Sequence, residues 1–353
     1  MMTSPDTIVA SQPDIRRTTP QQLKEFLTSI GEKPFRAKQI QEWLWQKSAT
    51  RFAEMTNLSK SLRMQLEAHY ALRPVTIQEQ QESGDGTIKY MFRLHDGHLV
   101  EGVLIPTKKR MTACISSQVG CSLSCKFCAT GYMDRKRNLD AAEIYDQVVL
   151  IRQQAEQRYE RPLTNIVYMG MGEPLLNYAN VLQSVEYITS PQGLDMASWR
   201  ITVSTAGIAK MIKKLGDDAV KFNLALSLHA ANDQKRSQIM PINESNTLVA
   251  LREALQYFYQ KTDTPVTFEY IVFHNVNDTL EDARELWEFT KRVPSKVNII
   301  EYNPISEADF TNTEADRLDQ FAAFLERKGV TVNVRRSRGK DIDAACGQLA
   351  IKQ

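Results

Sequence analysis

The sequence has few cysteines and almost no excess charge of either sign. It contains 5 cysteines in 353 residues, an odd number, and three of them fall in the segment 121–128. Such a set makes a poor disulfide framework and instead suits metal binding or catalysis in a reducing compartment. Lys and Arg total 44 against 42 Asp and Glu, so the net charge of +2 excludes indiscriminate binding of nucleic acid through a strong overall field.

Long apolar runs are also missing. No stretch approaches the roughly 18 residues that span a bilayer, and residues 1–20 lack the apolar region of a secretory signal peptide. We therefore expect a cytoplasmic protein without a membrane partner. Apolar residues make up 42% and charged residues 24% of the chain, a balance that excludes wholesale disorder.

The amino-terminal part of the chain predicts a tail and a small helical domain. Residues 1–18 are polar and lack periodicity, so we expect a flexible tail. Residues 19–73 contain three amphipathic helical patterns, and the first begins with Thr19, Pro20 and Gln22 as a capping box. Basic side chains in this accessory domain predict contact with RNA, although a solvated charged face is the commoner arrangement; they are Lys24, Lys33, Arg36, Lys38 and Lys47.

Residues 74–106 predict a β-hairpin connector. Apolar and polar residues alternate over 88–94, a His-Asp-Gly turn follows, and the chain returns as HLVEGVLIP. In the returning strand Glu101 shares a face with Leu99 and Val103. Burial of an unpaired carboxylate is costly, so Glu101 has either a structural cation partner or a role in binding or proton transfer.

Residues 107–353 alternate Val- and Ile-rich strand patterns with amphipathic helical patterns. About six such units predict an α/β protein built on a partial (β/α)6 barrel, with the active groups at the carboxyl ends of its strands. A flat, doubly wound sheet is the alternative.

The strongest motif is CxxxCxxC, formed by Cys121, Cys125 and Cys128 in the loop after the first barrel strand. Three thiolates can hold one face of a [4Fe-4S] cluster and leave one iron without a protein ligand. Structural zinc would need a fourth ligand nearby, yet the next histidine is His229, and an electron carrier would normally supply four cysteines.

This motif at this place resembles the radical S-adenosylmethionine (radical SAM) superfamily. Further segments are similar to the RlmN/Cfr family of RNA adenine methyltransferases: CISSQVG from 114, MGMGEPL from 169, VSTAG from 203, LSLH from 226, EYNP from 301 and DIDAACGQL from 341. The similarity begins near residue 19 and covers nearly the whole remaining chain.

The resemblance implies a set of site residues. It makes Cys121, Cys125 and Cys128 the cluster ligands, and it places Gly172 and Glu173 at the amine end of S-adenosylmethionine. The other cofactor contacts it implies are Ser204, Ser227, Leu228, His229 and Asn303. Taken alone, a Ser or Asn at a strand end is usually a helix cap, and a lone histidine is usually structural.

The remaining cysteines, Cys114 and Cys346, would alone be read as small buried hydrophobes. The resemblance instead makes Cys346 a methyl carrier and Cys114 its partner. One cofactor molecule would methylate Cys346, and a second would supply the radical that turns the S-methyl group into an attacking carbon. Removal of a proton by Cys114, or by Glu101 as the competing base, would then release the product and leave a Cys114–Cys346 disulfide.

The implied substrates are an adenosine in the peptidyl-transferase centre of 23S rRNA and the tRNA adenosine next to the anticodon, both methylated at C2. A one-electron reductant such as flavodoxin and a thiol reductant are the implied partners, and we expect a monomer. Local basic residues beside the carrier cysteine predict phosphate contacts: Arg335, Arg336, Arg338 and Lys340. Methylation at C8, as in Cfr, and a non-enzymatic iron–sulfur RNA-binding module remain alternatives.

Overall fold

A ten-stranded sheet runs through the protein. The structure is a computed structural model and describes residues 12–351. The sheet order is β1-β2-β3-β4-β7-β8-β9-β10-β11-β12, and β5 pairs with β6 in a separate ribbon. The strands are β1 Thr76–Glu82, β2 Ile88–Arg93, β3 Leu99–Pro106, β4 Met111–Cys114, β5 Gln118–Val119, β6 Arg137–Asn138, β7 Asn165–Tyr168, β8 Ile201–Thr205, β9 Asn223–Ser227, β10 Val266–Val272, β11 Ser295–Glu301 and β12 Thr331–Arg335.

Ten α-helices accompany these strands within the described residues. Three precede the sheet: α1 Pro20–Ser29, α2 Arg36–Gln41 and α3 Lys60–His69. The others connect the parallel strands: α4 Ala141–Tyr159, α5 Tyr178–Thr189, α6 Ala209–Asp217, α7 Asp233–Ile239, α8 Leu248–Thr262, α9 Leu280–Thr290 and α10 Ala315–Arg327. The capping box predicted at Thr19–Gln22 is present, so the sequence located the start of α1 correctly, and Asp140 and Glu143 form a second capping box at the start of α4.

The parallel strands from β4 to β12 follow one another in chain order, with a helical crossover between each pair. A doubly wound sheet would reverse its strand order at a switch point, and this sheet does not. The predicted partial barrel of six βα units is therefore confirmed, with β12 as an additional strand at its end. Its strands are apolar because helices cover them, and β10 is buried along its whole length.

The connector between the helical domain and the barrel has three strands rather than two. The predicted hairpin is β2–β3, and β3 continues antiparallel onto β4, so the connector and the barrel share one sheet. The sequence pattern missed β1, which pairs antiparallel with β2. Its residues TIQEQQE are almost all exposed and polar, and such a strand shows no alternation.

The predicted flexible tail is wrong for residues 12–18, and residues 1–11 lie outside the described part of the chain. Ile15 is 1% exposed and its backbone N–H donates to the Ala71 carbonyl at 3.0 Å. Arg16 bridges Asp14 at 3.0 Å and Asp146 of α4 at 2.7 Å. A buried guanidinium between two carboxylates fixes this segment against the barrel, which a polar, aperiodic sequence does not reveal.

The helical domain packs on the outer surface of the barrel. Trp45 stacks on Tyr187 of α5 with ring centroids 3.6 Å apart, and it contacts Tyr145 of α4 edge-on. These large aromatic contacts hold the domain beside α4 and α5. Within residues 12–351, no helix is both long and apolar enough to cross a bilayer.

Candidate active site

An open cavity lies at the carboxyl ends of the barrel strands. It encloses about 890 Å³ of empty space, its mouth included, which is within the range of small-molecule sites. Most of the residues predicted to form the site line it: Cys121, Cys125, Cys128, Gly172, Glu173, Ser204, Ser227, His229 and Cys346. Parallel strands bring these positions together because their carboxyl ends share one edge.

The cysteine loop begins at β5 and returns through β6. Cys121, Cys125 and Cys128 pack against an apolar cluster that includes Phe127 and Phe273. Burial raises the pKa of all three thiols, that of Cys121 to about 11, and the neighbouring thiols raise it further for Cys121 and Cys125. An apolar surrounding with three thiols therefore favours a ligand that offers strong positive charge to sulfur.

The segment Gly172–Glu173 follows β7 and lies against Gln118. Gly172 has φ +95°, and a Cβ there would stand 2.5 Å from the Gln118 Cβ, so only glycine fits. Glu173 accepts hydrogen bonds from the Leu175 and Ala206 backbone N–H groups at 3.0 and 2.8 Å. Burial nevertheless raises the pKa of Glu173, and no Lys or Arg of residues 12–351 forms a salt bridge with it.

The β9 end carries Ser227, Leu228 and His229. His229 adopts φ +55° and its Nδ1 accepts the Ile271 N–H at 3.0 Å, which leaves the proton on Nε2. Burial lowers the pKa of His229 to about 3, so the ring is neutral. Leu228 does not line the cavity: its side chain lies in the core, its N–H donates to the Glu269 carbonyl and its carbonyl accepts from Arg236. Its contact with the cofactor stays a prediction.

Cys346, the predicted methyl carrier, lies in a segment that is hydrogen-bonded to the cysteine loop. The Ala129 N–H donates to the Gly347 carbonyl at 2.7 Å, and the Thr130 hydroxyl donates to the Leu349 carbonyl at 2.5 Å. The Asn303 side chain donates to the Cys346 carbonyl at 3.1 Å, while its buried Oδ1 has no partner among the described residues. The resemblance assigns Asn303 to the cofactor; Asn303 does not itself line the cavity, but it contacts Cys346, which does.

Cys114, Cys346 and Arg335 lie together at the ends of β4 and β12. Both cysteines are free thiols, Cys114 buried and Cys346 exposed at the cavity. Desolvation by the surrounding protein raises the pKa of each, the Cys346 thiol raises the pKa of Cys114 further, and the Arg335 guanidinium acts in the opposite direction on both. Arg335 also forms a 3.5 Å salt bridge with Glu269, a buried residue of β10.

Glu101 does not line this cavity. It is 2% exposed, one carboxylate oxygen is 3.3 Å from the Lys89 ammonium, and the other accepts the Ala350 N–H at 3.0 Å. Burial raises the pKa of Glu101 and Lys89 opposes that shift. Of the two predicted roles, the structure shows the cation partner, and it adds an anchor for the segment that follows Cys346.

Comparisons with known proteins agree with this geometry. The family model "Ribosomal RNA large subunit methyltransferase N-terminal domain" matches residues 14–72, and "Radical SAM superfamily" matches residues 115–287. A protein of Cytophaga hutchinsonii named probable dual-specificity RNA methyltransferase RlmN is 66% identical, with 96% of this chain and 93% of its own covered. The chain belongs to the RlmN family. Its class, an S-adenosylmethionine-dependent methyltransferase, is the one that the cysteine spacing and motifs predict.

More distant members of the RlmN family and a solved structure give the same result. A Bacillus velezensis relative with the same name is 43% identical over 97% of this chain and 94% of its own. The crystal structure of a radical SAM methyltransferase from Sphaerobacter thermophilus is 39% identical, covers 96% of this chain and 100% of its own, and has a TM-score of 0.90. The fold is therefore that of a radical SAM methyltransferase over nearly the full length.

The residues present fit the cofactors that the family implies. Glu173 offers a buried carboxylate without a cation partner in the described residues, which suits an ammonium group, and Asn303 offers a free acceptor. Within residues 12–351, no group of three His, Cys, Asp or Glu side chains is arranged around a single ion. A cubane cluster takes its thiolates on separate irons, so the three cysteines can serve it from one face without converging on a point.

The four basic residues predicted to contact RNA phosphates are mostly paired within the protein instead. Three of its four members are paired with carboxylates: Arg335 with Glu269, Arg338 with Asp85 and Lys340 with Glu301. Arg336 is exposed and has no salt bridge among the described residues. A further basic turn, residues 108–110, precedes β4 and therefore lies at the barrel end opposite the cysteines.

The sequence analysis did not predict Glu269 or Arg236 near the site. It predicted Arg335, but as an RNA contact and not as a neighbour of the thiols. Glu269 had a visible signal, because it is a carboxylate inside the apolar strand VTFEYIV. Arg335 was assigned to RNA because it belongs to a basic run. Arg236 had no signal at all, since a charged residue on a short helix is normally exposed.

Proposed function

We propose that this enzyme methylates C2 of an adenosine in the 23S rRNA peptidyl-transferase centre and of the tRNA adenosine next to the anticodon. The transfer is ping-pong: the methyl group is first placed on Cys346 and then passed to the base. The observation that carries the proposal is the position of Cys346, which lines the same cavity as the cluster cysteines and the cofactor residues, beside Cys114.

A protein-bound carrier is needed because adenine C2 is an electron-poor carbon and cannot attack a sulfonium methyl group. When bound, the cluster and two molecules of S-adenosylmethionine per turnover supply the methyl group and a hydrogen-abstracting radical. Cys346 supplies the nucleophile for the first transfer. Arg335 favours its thiolate form, since the guanidinium lowers the pKa of that thiol against the effect of desolvation.

Cys114 is the better placed of the two candidate bases. It lies beside Cys346, whereas the Glu101 carboxylate is occupied by Lys89 and by the Ala350 N–H outside the cavity. We therefore assign removal of the C2 proton to Cys114 and a structural role to Glu101. After the adduct has lost one electron, which the oxidised cluster would accept, and its C2 proton, Cys114 attacks the Cys346 sulfur. The bond between that sulfur and the methylene carbon breaks, the carbon takes up a proton to become the product methyl group, and a thiol reductant reopens the Cys114–Cys346 disulfide that remains.

The same proposal includes the partners. An external one-electron donor such as flavodoxin reduces the cluster, and five free cysteines require the reducing conditions of the cytoplasm. We expect a monomer to act on both RNAs. The target base must leave its stack to reach Cys346, so a loop or a splayed single strand is the expected substrate.

Mass spectrometry of adenosines after anaerobic turnover tests this proposal. The reconstituted protein, with S-adenosylmethionine and either RNA, should yield 2-methyladenosine. Cys114→Ala should accumulate RNA covalently joined through Cys346, and Cys346→Ala should neither carry a methyl group nor cross-link. Both variants should retain cluster iron, whereas Cys121→Ala should lose it.

Four results would contradict the proposal. A product methylated at C8 would assign the Cfr reaction, and RNA binding without cofactor cleavage would assign a binding module. Free methylated RNA from Cys114→Ala at the parental rate would remove the resolving role from Cys114. Adduct accumulation in Glu101→Gln, but not in Cys114→Ala, would transfer that role to Glu101.

A further inference from the structure

Arg236 of α7 is a fully buried arginine next to the site. Its exposed fraction is 0%, and its guanidinium donates four hydrogen bonds. Three go to the backbone carbonyls of Leu228, Ala206 and Ser227, at 3.1, 2.6 and 3.2 Å, and one goes to the Asn243 side chain at 2.8 Å. All four acceptors are neutral.

The charge of Arg236 is therefore not matched by a direct anionic partner. Among residues 12–351, no carboxylate lies within salt-bridge distance of it; Asp233 is reached only through Asn243, whose amide donates to Asp233 at 2.9 Å. Burial lowers the pKa of Arg236 to about 10, so it still carries its proton at neutral pH. An isolated buried cation is costly, and proteins keep one where an opposite charge is bound.

The neighbours of Arg236 indicate on which side of it an anionic group would be bound. Ala206 and Ser227, whose carbonyls it binds, follow or end β8 and β9 and line the cavity. Its own helix is joined to the cysteine loop, because the Lys126 N–H donates to the Ile239 carbonyl at 3.0 Å. Cys125, the residue before Lys126, is close enough for its thiol to interact electrostatically with the guanidinium.

Other cations are missing from this part of the cavity. No Lys or Arg is among the described residues that line it, and His229 is neutral. The three cysteines bind metal as thiolates, so they give a [4Fe-4S] cluster a net negative charge, which grows by one unit on reduction. Such a cluster would place anionic charge next to the one buried cation described behind the cysteine loop.

We propose that Arg236 is the fixed counter-charge of the iron–sulfur cluster held by Cys121, Cys125 and Cys128, and that it raises the reduction potential of that cluster. The inference rests on the proposed cluster binding and names a further residue for it. The guanidinium favours the reduced, more negative state because it acts across a desolvated, low-dielectric layer. Arg236 thus acts on the cluster only through its fixed positive charge, and it contacts no substrate.

A redox titration of the reconstituted cluster, followed by electron paramagnetic resonance without S-adenosylmethionine, tests this. Arg236→Met should make reduction about tenfold less favourable, a shift of ~59 mV to more negative potential for one electron. Arg236→Lys should stay near the parental potential because it keeps the charge. Lys213→Met, which removes one exposed charge from α6, is the matched control and should not shift the potential.

Each outcome either supports or overturns the role proposed for Arg236. An unshifted potential in Arg236→Met overturns the inference, as does an equal shift in Arg236→Lys, which would assign the effect to hydrogen bonds rather than charge. A shift that appears only with S-adenosylmethionine bound would assign the charge to the cofactor carboxylate. If Arg236→Met does not fold, Arg236→Gln, which keeps an amide donor, carries the same expectation. Failure of the parental protein to load iron would instead overturn the proposed cofactor.

Discussion

At the scale of single residues, His229 is held in a conformation that its side chain resists. It has φ +55° although it carries a bulky ring, whereas Gly172, at φ +95° with Gln118 against it, has no Cβ and bears no such cost. Such backbone costs of order 1–3 kcal/mol persist only where the surroundings compensate, and they cluster at functional sites. At His229 the compensation is visible: its Nδ1 accepts from Ile271 and its carbonyl from Asn277.

The low pKa of His229 predicts a pH-dependent loss of stability. The folded state takes up its proton only near pH 3, whereas the unfolded state does so near the ordinary value of 6.5. Between these values the unfolded state binds more protons than the folded state. The free energy of unfolding should therefore decrease as the pH is lowered below 6.5, and His229 should contribute up to about 1.4 kcal/mol per pH unit to this decrease. Urea unfolding between about pH 6.5 and 5 measures it.

His229→Asn is the matched variant for that measurement. Asparagine tolerates positive φ, and its side-chain oxygen can accept the Ile271 N–H in place of Nδ1. We expect this variant to lose most of the slope that the parental protein shows in that range. Parallel pH profiles for the two proteins would show that His229 is not the group responsible.

At the scale of elements, the connector sheet supports residues 338–350, which we call the carrier segment after the proposed role of Cys346. The β1–β2 turn is hydrogen-bonded to the chain just before Cys346. The Ser83 hydroxyl and the Gly84 N–H donate to the Asp341 carboxylate at 2.5 and 3.1 Å. Asp85 of the same turn accepts the Gly339 N–H at 3.1 Å and pairs with Arg338. A hairpin that lies far from Cys346 in the sequence therefore fixes one end of the carrier segment.

Loosening this turn should release the carrier segment without unfolding the barrel. In Asp85→Ala we expect faster amide hydrogen exchange over residues 338–350, measured by mass spectrometry, and slower methylation of Cys346, because both the Arg338 and Gly339 contacts are lost. Cluster iron should stay at the parental level. Gln81→Ala, on the exposed part of β1, is the control. Equal exchange in both variants would refute this support role.

At the scale of the whole molecule, charge is distributed rather than concentrated. The net charge of +2 gives a weak overall field, and most cations near the site already have carboxylate partners. Attraction of RNA to the proposed site must then come from the few cations without such partners. Arg336 is the clearest of these next to the carrier segment within the described chain.

The salt dependence of RNA binding separates free from paired cations. Arg336→Gln should weaken binding to the substrate RNA and reduce the slope of log K against log salt by about 0.7–0.9, the value for one phosphate contact. Lys340→Gln should change the slope less, because Glu301 at 2.7 Å already neutralises that ammonium. Fluorescence anisotropy across a salt series measures both. An unchanged slope in Arg336→Gln would make it a solvated surface residue.

Local patterns in the sequence determined the elements and the family. The capping residues at Thr19 and Asp140 marked helix starts, the alternation of strand and helix patterns predicted the partial barrel, and CxxxCxxC with its companion motifs identified the radical SAM chemistry. These features depend on residues close together in the chain. Periodicity and spacing are therefore enough to reveal them.

Only the tertiary structure decided which charges meet. Glu101 pairs with Lys89, Arg335 faces Cys114 and Cys346, and Arg236 is buried behind the cysteine loop. Lys89 lies 12 positions before Glu101, and Arg335 lies 11 positions before Cys346 but 221 positions after Cys114. Burial, which sets the strength of each interaction, follows from packing rather than from the neighbouring residues in the sequence. The sequence shows which residues are charged, but the fold determines the dielectric surroundings and the partner of each one.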